Sequence, residues 1–377
     1  MAVSFIHTAD WQIGKVFGNI GADAAVLLKT QRIKTVRRIA ELSTERGVDA
    51  VLVSGDVFEN NLVSNETIHA LNHAMEGFKG PWILIPGNHD PALAESVWHR
   101  MRALGSGANV FITLEPQAIP LASGRLVILP AVLKRKHEFE DLTTTWERIN
   151  TPAGALRVGL AHGSVEGLLP GEAEATNPIA ADRATQARLD YLALGDWHGT
   201  YKISERTWYS GTPEPDRFKD NDAGNVLHVT IRAPGAVPDV ERVRVAHYLW
   251  KEIEAVLTDV QDIETLDARL NDLGGPLEQY VVTLTVKGAV DFKTREQLDL
   301  LLSKWRGRFT WIGDNCSQLV AQPTEADLDR IDTAGFVRAA MDRLRAIQAN
   351  PADPGHDLAV GALRLLYQIH TTQGEHQ

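Results

Sequence analysis

Cysteine and long apolar runs are almost absent from this chain of 377 residues. Cys316 is the single cysteine, which excludes an internal disulfide and a cysteine-based zinc site. The N-terminal residues lack the basic stretch followed by an apolar run that is typical of a signal peptide. No apolar run approaches the roughly 20 residues of a membrane span. We therefore expect a cytoplasmic protein that does not contact a membrane.

An excess of basic residues is also lacking, since 38 Lys and Arg stand against 49 Asp and Glu and give a net charge of −11. Such a chain does not bind a polyanion through diffuse positive charge, so a nucleic-acid partner would require metal ions or a local basic patch. The apolar fraction of 44% is typical of a globular protein and excludes a disordered chain. The length predicts two or three domains.

The first 165 residues alternate short apolar runs with longer segments of helical periodicity. A strand at Val3–His7, a helix at Asp23–Arg46 and a strand at Ala50–Ser54 begin the series. This alternation predicts an α/β domain whose helices cover a sheet on both faces. The further predicted segments are helices at Ser64–Phe78 and Leu93–Leu104, and strands at Trp82–Ile85, Asn109–Ile112, Leu126–Leu129 and Leu156–Ala161.

Strands dominate from Tyr191 onward, and a small α+β module begins near Leu249. A strand at Phe309–Ile312 is predicted to close that module. Two amphipathic helices follow, at about Ala334–Ala349 and Leu358–Ile369. Their apolar stripes must be buried, either on their own domain or on a partner.

Five of the predicted strands end in residue types that bind metal ions. In an open α/β sheet, ligands collect where strands end and loops begin. Carboxylates, an amide and imidazoles that converge there predict a di-metal site for hard or borderline cations, and such a pair of ions can hold and polarise a phosphate and its attacking water. Each segment alone also fits a structural turn, whereas their order along the chain favours the metal site. The segments are Asp10–Gln12, Gly55–Asp56, Pro86–Asp90, Leu160–Gly163 and Gly195–Gly199.

These segments resemble the calcineurin-like metallophosphoesterases, and in particular the SbcD-type DNA repair exonucleases. The resemblance covers about residues 1–220 and extends loosely beyond them. It implies a four-layered α/β/β/α sandwich at 1–248, a capping α+β domain that contacts DNA at 249–323, and a helical ATPase-docking segment at 324–377. The motifs that carry it are Ile6–Trp11, Val53–Phe58, Ile85–Asp90 and Tyr191–Gly195.

The resemblance implies a role for each polar residue of these motifs. His89 would be the catalytic histidine that contacts the scissile phosphate or protonates the leaving oxygen, and Asp90 would orient it. Asp56 would bridge two divalent ions. Of the remaining ligands, the first ion would bind Asp10 and His198, and the second Asn88 and His162.

Three positions depart from the family pattern, which has histidine where this chain has Gln12 and Asp196 and, in many members, where it has Glu59. Gln12 and Asp196 keep their places among the predicted ligands. Both replace ring nitrogen with oxygen, and this favours Mn²⁺, with Mg²⁺ as the alternative, over Zn²⁺.

Two basic clusters are candidates for DNA contact, and each also fits a solvated surface. The first consists of Lys134, Arg135 and Lys136, and the second of Arg306 and Arg308 among the aromatic residues of 305–311. Trp11 and Trp197, beside predicted ligands, fit core packing better than base stacking.

The function that the resemblance implies is metal-dependent hydrolysis of DNA phosphodiesters, by exonuclease or endonuclease action. The chain would be the nuclease subunit of a complex with an SbcC-like coiled-coil ATPase in DNA repair, and a homodimer remains an open alternative. Two other functions stay open on the sequence alone. One is a phosphoesterase for small molecules or phosphoproteins, and the other is a non-catalytic subunit that binds DNA ends.

Overall fold

The computed structural model describes residues 2–167, 177–321, 336–350, 352–356, 358–363 and 365–366. The chain divides into two units, Met1–Leu249 and Trp250–Gln377. The boundary predicted at 323–324 lies outside the described residues. None of the described helices combines the length and the apolar character that crossing a membrane would require.

The first sheet of the N-terminal unit contains six strands in the order β14-β13-β1-β2-β3-β4. The strands from β1 to β4 run parallel, whereas β13 is antiparallel to β1 and to β14. The bounds are β1 (Val3–Thr8), β2 (Ala50–Val53), β3 (Trp82–Leu84), β4 (Val110–Ile112), β13 (Asn225–Ile231) and β14 (Asp239–Arg244).

The second sheet also contains six strands, in the order β11-β12-β10-β7-β6-β5. Its four central strands are parallel, and each edge strand is antiparallel to its neighbour. The bounds are β5 (Ile119–Leu121), β6 (Leu126–Pro130), β7 (Leu156–His162), β10 (Tyr191–Gly195), β11 (Tyr201–Lys202) and β12 (Thr207–Tyr209). A separate parallel pair consists of β8 (Ser164–Val165) and β9 (Pro178–Ile179).

Helices cover the outer face of each sheet. The helices α1 (Ala22–Arg46), α2 (Asn65–Met75) and α3 (Val97–Ala103) pack on the first sheet. The helix α4 (Arg183–Gln186) and the 3₁₀ helix Leu142–Arg148 pack on the second. A third apolar layer lies between the sheets. The predicted four-layered α/β/β/α sandwich is confirmed.

The alternation of side chains along the strands builds these layers. On β1, Phe5 faces the layer between the sheets, while Ile6 faces the helices. On β2, Leu52 and Val51 divide in the same way. Strands buried on both faces are uninterrupted apolar runs, which is why β1 and β2 are readily predicted from the sequence.

His7 is a polar exception at the end of β1, fully buried between the sheets. Its Nε2 donates to the carbonyl of Leu194 at 3.1 Å, and its Nδ1 accepts from the Tyr191 hydroxyl at 3.0 Å. Burial lowers the pKa of His7 to about 3, although the Leu194 hydrogen bond acts in the opposite direction. The ring therefore stays neutral in the folded protein at pH values where it is charged in the unfolded chain.

This difference predicts acid lability that His7→Gln removes. Between the unfolded pKa near 6.5 and the folded value, the unfolded chain binds the extra proton, so stability falls as the pH falls. From pH 7 to pH 5 the contribution of His7 to the free energy of unfolding should drop by about 2 kcal/mol. Urea unfolding of the metal-free protein at both pH values measures it, with His73→Gln on exposed α2 as the control. An equal pH 7 to pH 5 loss in His7→Gln and the original chain would contradict the assignment.

The second unit contains a three-stranded sheet in the order β15-β16-β17, with β16 and β17 parallel. Aspartates cap the helices α5 and α6 at their N-termini. The residues Met341 and Leu363 are buried against each other's helical segments at the end of the chain. The bounds are β15 (Leu249–Leu257), α5 (Val260–Asn271), β16 (Tyr280–Val290), α6 (Phe292–Arg306), β17 (Trp311–Ala321) and α7 (Phe336–Gln348).

The sequence-based boundaries are wrong at two helix ends. The helix predicted from Leu93 begins at Val97, because the backbone of Ala92 donates across to Leu133. The strand predicted from Phe309 begins only at Trp311. The amide of Phe309 closes the end of α6 and its ring packs on Trp305, so Phe309 is buried in the core as predicted.

Candidate metal centre

Parallel strands from both sheets end at one edge of the sandwich, and the loops that follow them form the site. The amide of Asp10, after β1, donates to the carbonyl of Gly55 in the next loop at 3.1 Å. His162 ends β7, where it pairs with Gly195 of β10. Four polar residues of these loops adopt left-handed backbone conformations that are strained for non-glycine residues, namely Asp10, Gln12, Asp56 and Asp196. The strain is concentrated at the site.

Three of the predicted ligands form one compact group. Within the described part of the chain, ligand atoms of Asp10, Asp56 and His162 all lie within 4.8 Å of one another, and all three residues are buried. His162 Nε2 lies 3.4 Å from Asp56 Oδ1 and 3.1 Å from Asn88 Oδ1. Its Nδ1 donates to the Ser54 carbonyl at 2.8 Å, and this orients Nε2 toward the carboxylate and the amide.

The charges of this group fit a divalent cation. Burial raises the pKa of Asp10 to about 6. Burial opposes the charged form of His162 as well, but the surrounding carboxylates of Asp56, Asp10 and Asp196 outweigh it and raise the pKa of the ring to about 9. The proton on His162 thus balances excess negative charge in the metal-free site. Carboxylate, amide and imidazole donors around that charge suit an ion such as Mn²⁺ or Mg²⁺.

Asp196 joins the group from the loop after β10. Its backbone amide donates to Asp10 Oδ1 at 3.1 Å, and Oδ1 of its carboxylate lies 3.8 Å from His162 Nε2. The Ser164 hydroxyl donates to the other carboxylate oxygen at 2.7 Å. Asp196 is therefore close enough to add an oxygen donor, as predicted from its type. Ser164 follows His162 by two residues and carries no separate sequence signal.

Glycines leave the space that the ligands occupy. A Cβ atom added at Gly87 would overlap the carboxylate oxygen and the backbone nitrogen of Asp56. A Cβ atom at Gly55 or Gly195 would overlap the ring of His162. The glycine in each of the three motifs is thus required by close approach to a ligand.

We expect Gly87→Ala to displace Asp56 and to lower the affinity for Mn²⁺ by at least about tenfold, an effect of the size seen when the support of a metal ligand is lost. Gly18→Ala, whose added methyl group meets nothing within 4 Å, is the matched control. Isothermal titration calorimetry with Mn²⁺ compares the two variants with the original chain. Equal affinities in all three proteins would show that Asp56 does not need this space.

The other predicted ligands, Gln12 and His198, lie together at the opposite side of Asp10. The Gln12 side-chain nitrogen lies 3.3 Å from His198 Nε2. The other ring nitrogen of His198 lies 3.2 Å from Asp216 Oδ2 and 2.8 Å from the guanidinium of Arg217. Burial works against the charge of Asp216, but the hydrogen bond from His198 and the charges of His198 and Arg32 hold its pKa well below the usual range.

Lys15 completes this side of the site, and neither Lys15 nor Asp216 was predicted from the sequence. The Lys15 ammonium donates to Gln12 Oε1 at 2.9 Å and lies 2.8 Å from Asp216 Oδ2. Lys15 lies only five residues after Asp10, so its place in the same loop is a signal that sequence reasoning can use. Asp216 lies between a proline and an arginine in a loop without a metal-ligand pattern.

The ring of His89 lies at the rim of the site and is about one third exposed. Its backbone amide donates to Asp56 Oδ1 at 2.9 Å, and its Nδ1 donates to the Glu59 carbonyl at 3.0 Å. In place of the predicted contact with His89, the Asp90 carboxyl accepts from the amides of Phe58 and Gly87 at 2.9 and 2.6 Å. Asp90 therefore joins two ligand loops, and Glu59 orients the catalytic candidate.

Burial raises the pKa of Asp90 to about 8, and the nearby charge of Asp56 acts in the same direction. A largely neutral carboxyl adds little further negative charge to the metal site at pH 7.

A buried arginine supports the first ligand loop from behind, and sequence reasoning missed it. Arg32 of α1 donates to the carbonyls of Trp11 and Asp10 at 2.6 and 3.1 Å. It also donates to the carbonyl of Glu214, whose carboxylate accepts from the Thr35 hydroxyl and from two backbone amides. Such a satisfied buried network fixes backbone positions. An arginine inside the helical apolar pattern of α1 was the available signal.

The basic clusters predicted to contact DNA have acidic or polar partners within the chain. Lys134 pairs with Glu115 at 2.7 Å and Arg135 with Glu138 at 3.4 Å, while Lys136 is exposed. Arg306 pairs with Asp314 at 2.6 Å, and Arg308 bonds Asn271 and stacks on Trp305. None of these contacts involves a residue of the metal group, and the role of both clusters in DNA binding stays a prediction.

The tryptophans beside the ligands differ in their surroundings. Trp11 is buried in the core beneath the site, where its ring meets Trp82 edge-on, as expected from core packing. Trp197 is half-buried, and the Lys219 ammonium lies 4.4 Å from its ring centre.

Comparison with known proteins agrees with this geometry. Residues 3–222 match the family model described as calcineurin-like phosphoesterase. The SbcD subunit of the nuclease SbcCD from Escherichia coli K12 is 20% identical over 356 residues, which cover 79% of this chain and 87% of that protein. Its counterpart from Escherichia coli O157:H7 matches to the same extent.

Proposed function

The chain belongs to the calcineurin-like phosphoesterase family and is a metal-dependent phosphodiesterase, and we propose that its substrate is DNA. The observation that carries the enzymatic conclusion is the buried group of Asp10, Asp56 and His162, whose ligand atoms all lie within 4.8 Å of one another. A non-catalytic subunit would have no need to maintain strained, desolvated carboxylates at this edge of the sandwich.

The residues of the site divide the work of hydrolysis. Asp10, Asp56, Asn88 and His162 would hold divalent ions, with Asp196 as an added oxygen donor and with Gln12 and His198 toward the first position. When bound, such ions polarise the phosphate and the attacking water. His89 has its Nδ1 engaged by the Glu59 carbonyl, so Nε2 is the ring atom that can protonate the leaving oxygen.

The proposal of DNA as substrate is supported by the relative named as a nuclease subunit, which aligns well beyond the phosphoesterase domain. An acidic chain binds a polyanion where metal ions locally reverse its charge, and the metal group provides that place. By the same relationship we propose Mn²⁺ as the physiological ion, a cytoplasmic location and a role in DNA repair.

We further propose a coiled-coil ATPase of the SbcC type as the partner. The described part of the terminal helices buries Met341 and Leu363 against each other but leaves Phe336, Leu358 and Leu365 exposed. Exposed large apolar residues on one short helical pair are typical of a docking segment. Co-expression with such an ATPase from the same genome, followed by co-purification, tests the partnership.

Hydrolysis of labelled linear duplex DNA in Mn²⁺, beside bis(p-nitrophenyl) phosphate and a phosphopeptide, tests the substrate. We expect cleavage of DNA and of the generic diester, and no release of phosphate from the phosphopeptide. Hydrolysis of the generic diester without any DNA cleavage would identify a small-molecule phosphodiesterase instead. DNA binding without hydrolysis of any substrate would identify a non-catalytic subunit.

A further inference from the structure

The Lys15 ammonium occupies the half of the centre that Gln12 and His198 form. It donates to Gln12 Oε1 at 2.9 Å, lies 2.8 Å from Asp216 Oδ2 and lies 3.9 Å from Glu59 Oε2. Its side chain is only 17% exposed. A lysine held by three polar groups in a mostly buried position is a fixed charge and not a mobile surface side chain.

Both ligands of this half already bond other groups. The side-chain oxygen of Gln12 is the only atom through which Gln12 could bind a metal, and it accepts the Lys15 hydrogen bond. The ligand nitrogen of His198 faces the Gln12 amide nitrogen at 3.3 Å. An ion bound here would have to break these two hydrogen bonds and would lie next to a positive charge in a poorly solvated place.

The half formed by Asp56, Asn88 and His162 has the opposite character. Asp56 accepts the backbone amide of His89, and His162 Nε2 faces two oxygen atoms. The pKa of His162 is raised by the carboxylates around it, so a proton there is readily replaced by a metal ion. The two halves thus differ in the charge that they already contain.

We propose that the Lys15 ammonium supplies the positive charge of the first position, so that this enzyme holds one divalent ion tightly and a second ion only weakly. The tight ion belongs to the half formed by Asp56, Asn88 and His162, with Asp10 between the halves. Lys15 is a positioning residue that keeps Gln12, Asp216 and His198 together without a metal. The departure at Gln12 and the presence of Lys15 then have one common cause.

The test is titration of the metal-free full chain with Mn²⁺, by calorimetry and by electron paramagnetic resonance. We expect one tight site and a second site at least about tenfold weaker, with a spin-coupled Mn²⁺ pair only at high Mn²⁺ concentration. Lys15→Met removes the charge and keeps the length, and it should tighten the second site about tenfold while leaving the first unchanged. The charge-conserving Lys15→Arg should behave as the original chain does.

Lys202→Met removes a lysine that pairs with Glu205 outside the site, and it should change neither affinity. Two equal Mn²⁺ sites in the original chain would overturn the proposal, whether or not Lys15→Met folds. An unchanged or weaker second site in folded Lys15→Met would overturn it as well, because Lys15 would then only support the ligands. The titration contains no substrate, so its outcome is independent of whether the enzyme cleaves DNA.

Discussion

Phosphodiester hydrolysis by the variant Asp56→Asn is expected to fall by about a thousandfold, the largest effect of any single ligand change. Asp56 has a carboxylate oxygen 3.4 Å from His162 Nε2, and it also accepts the backbone amide of His89. The amide of asparagine loses the charge that binds the ion, and a metal ion supplies several kcal/mol of transition-state stabilisation. Rates on bis(p-nitrophenyl) phosphate at saturating Mn²⁺ measure the loss.

Asp222→Asn is the matched control, because Asp222 also adopts a left-handed backbone conformation and pairs with a surface arginine instead of a ligand. Asparagine tolerates that conformation at both positions, so backbone strain does not separate the two variants. Asp222→Asn should retain activity within about twofold of the original chain. Near-normal Mn²⁺-dependent hydrolysis by Asp56→Asn would show that the metal ion is bound elsewhere.

The variant His89→Ala is expected to lose about 10²–10⁴ of the turnover rate while its Mn²⁺ affinity stays the same. The ring of His89 bonds the Glu59 carbonyl and not a ligand, and only the backbone of His89 contacts Asp56. Removal of the ring therefore leaves the metal group intact and takes away the proton donor. Single-turnover rates and calorimetric titration together separate chemistry from metal binding.

The control for this variant is His73→Ala, a histidine on the exposed face of α2 that pairs with Glu76. It should leave both the rate and the metal affinity unchanged. A loss of Mn²⁺ from His89→Ala would make His89 a ligand, and a rate within about threefold of the original would remove it from the proposed mechanism.

The sequence was sufficient to predict the architecture where strands are buried on both faces. β1, β2 and β7 are short apolar runs that each lead into a ligand, so their positions follow from composition alone. Strand β5 was missed because Pro120 interrupts it, and an edge strand can carry a proline that a central strand cannot. The long strand β15 was missed as well, since its residues alternate between buried and exposed only in part.

The ligand group of Asp10, Asp56 and His162 was predictable because strand order brings the ends of parallel strands together. The surroundings of the group were not, since they depend on contacts between loops far apart in the sequence. Lys15 meets Asp216 from a distant part of the chain, and Asp90 turns from its neighbour His89 to the amides of Phe58 and Gly87. No spacing rule in the sequence gives such pairings.

The most direct measurement is the anomalous scattering of manganese in crystals of the full chain soaked in Mn²⁺. The account predicts that the strongest peak lies within bonding distance of Asp56, Asn88 and His162, where the carboxylate, the amide and the imidazole already face one another. A strongest peak elsewhere in the molecule, with no manganese between Asp56 and His162 at saturating Mn²⁺, would contradict it.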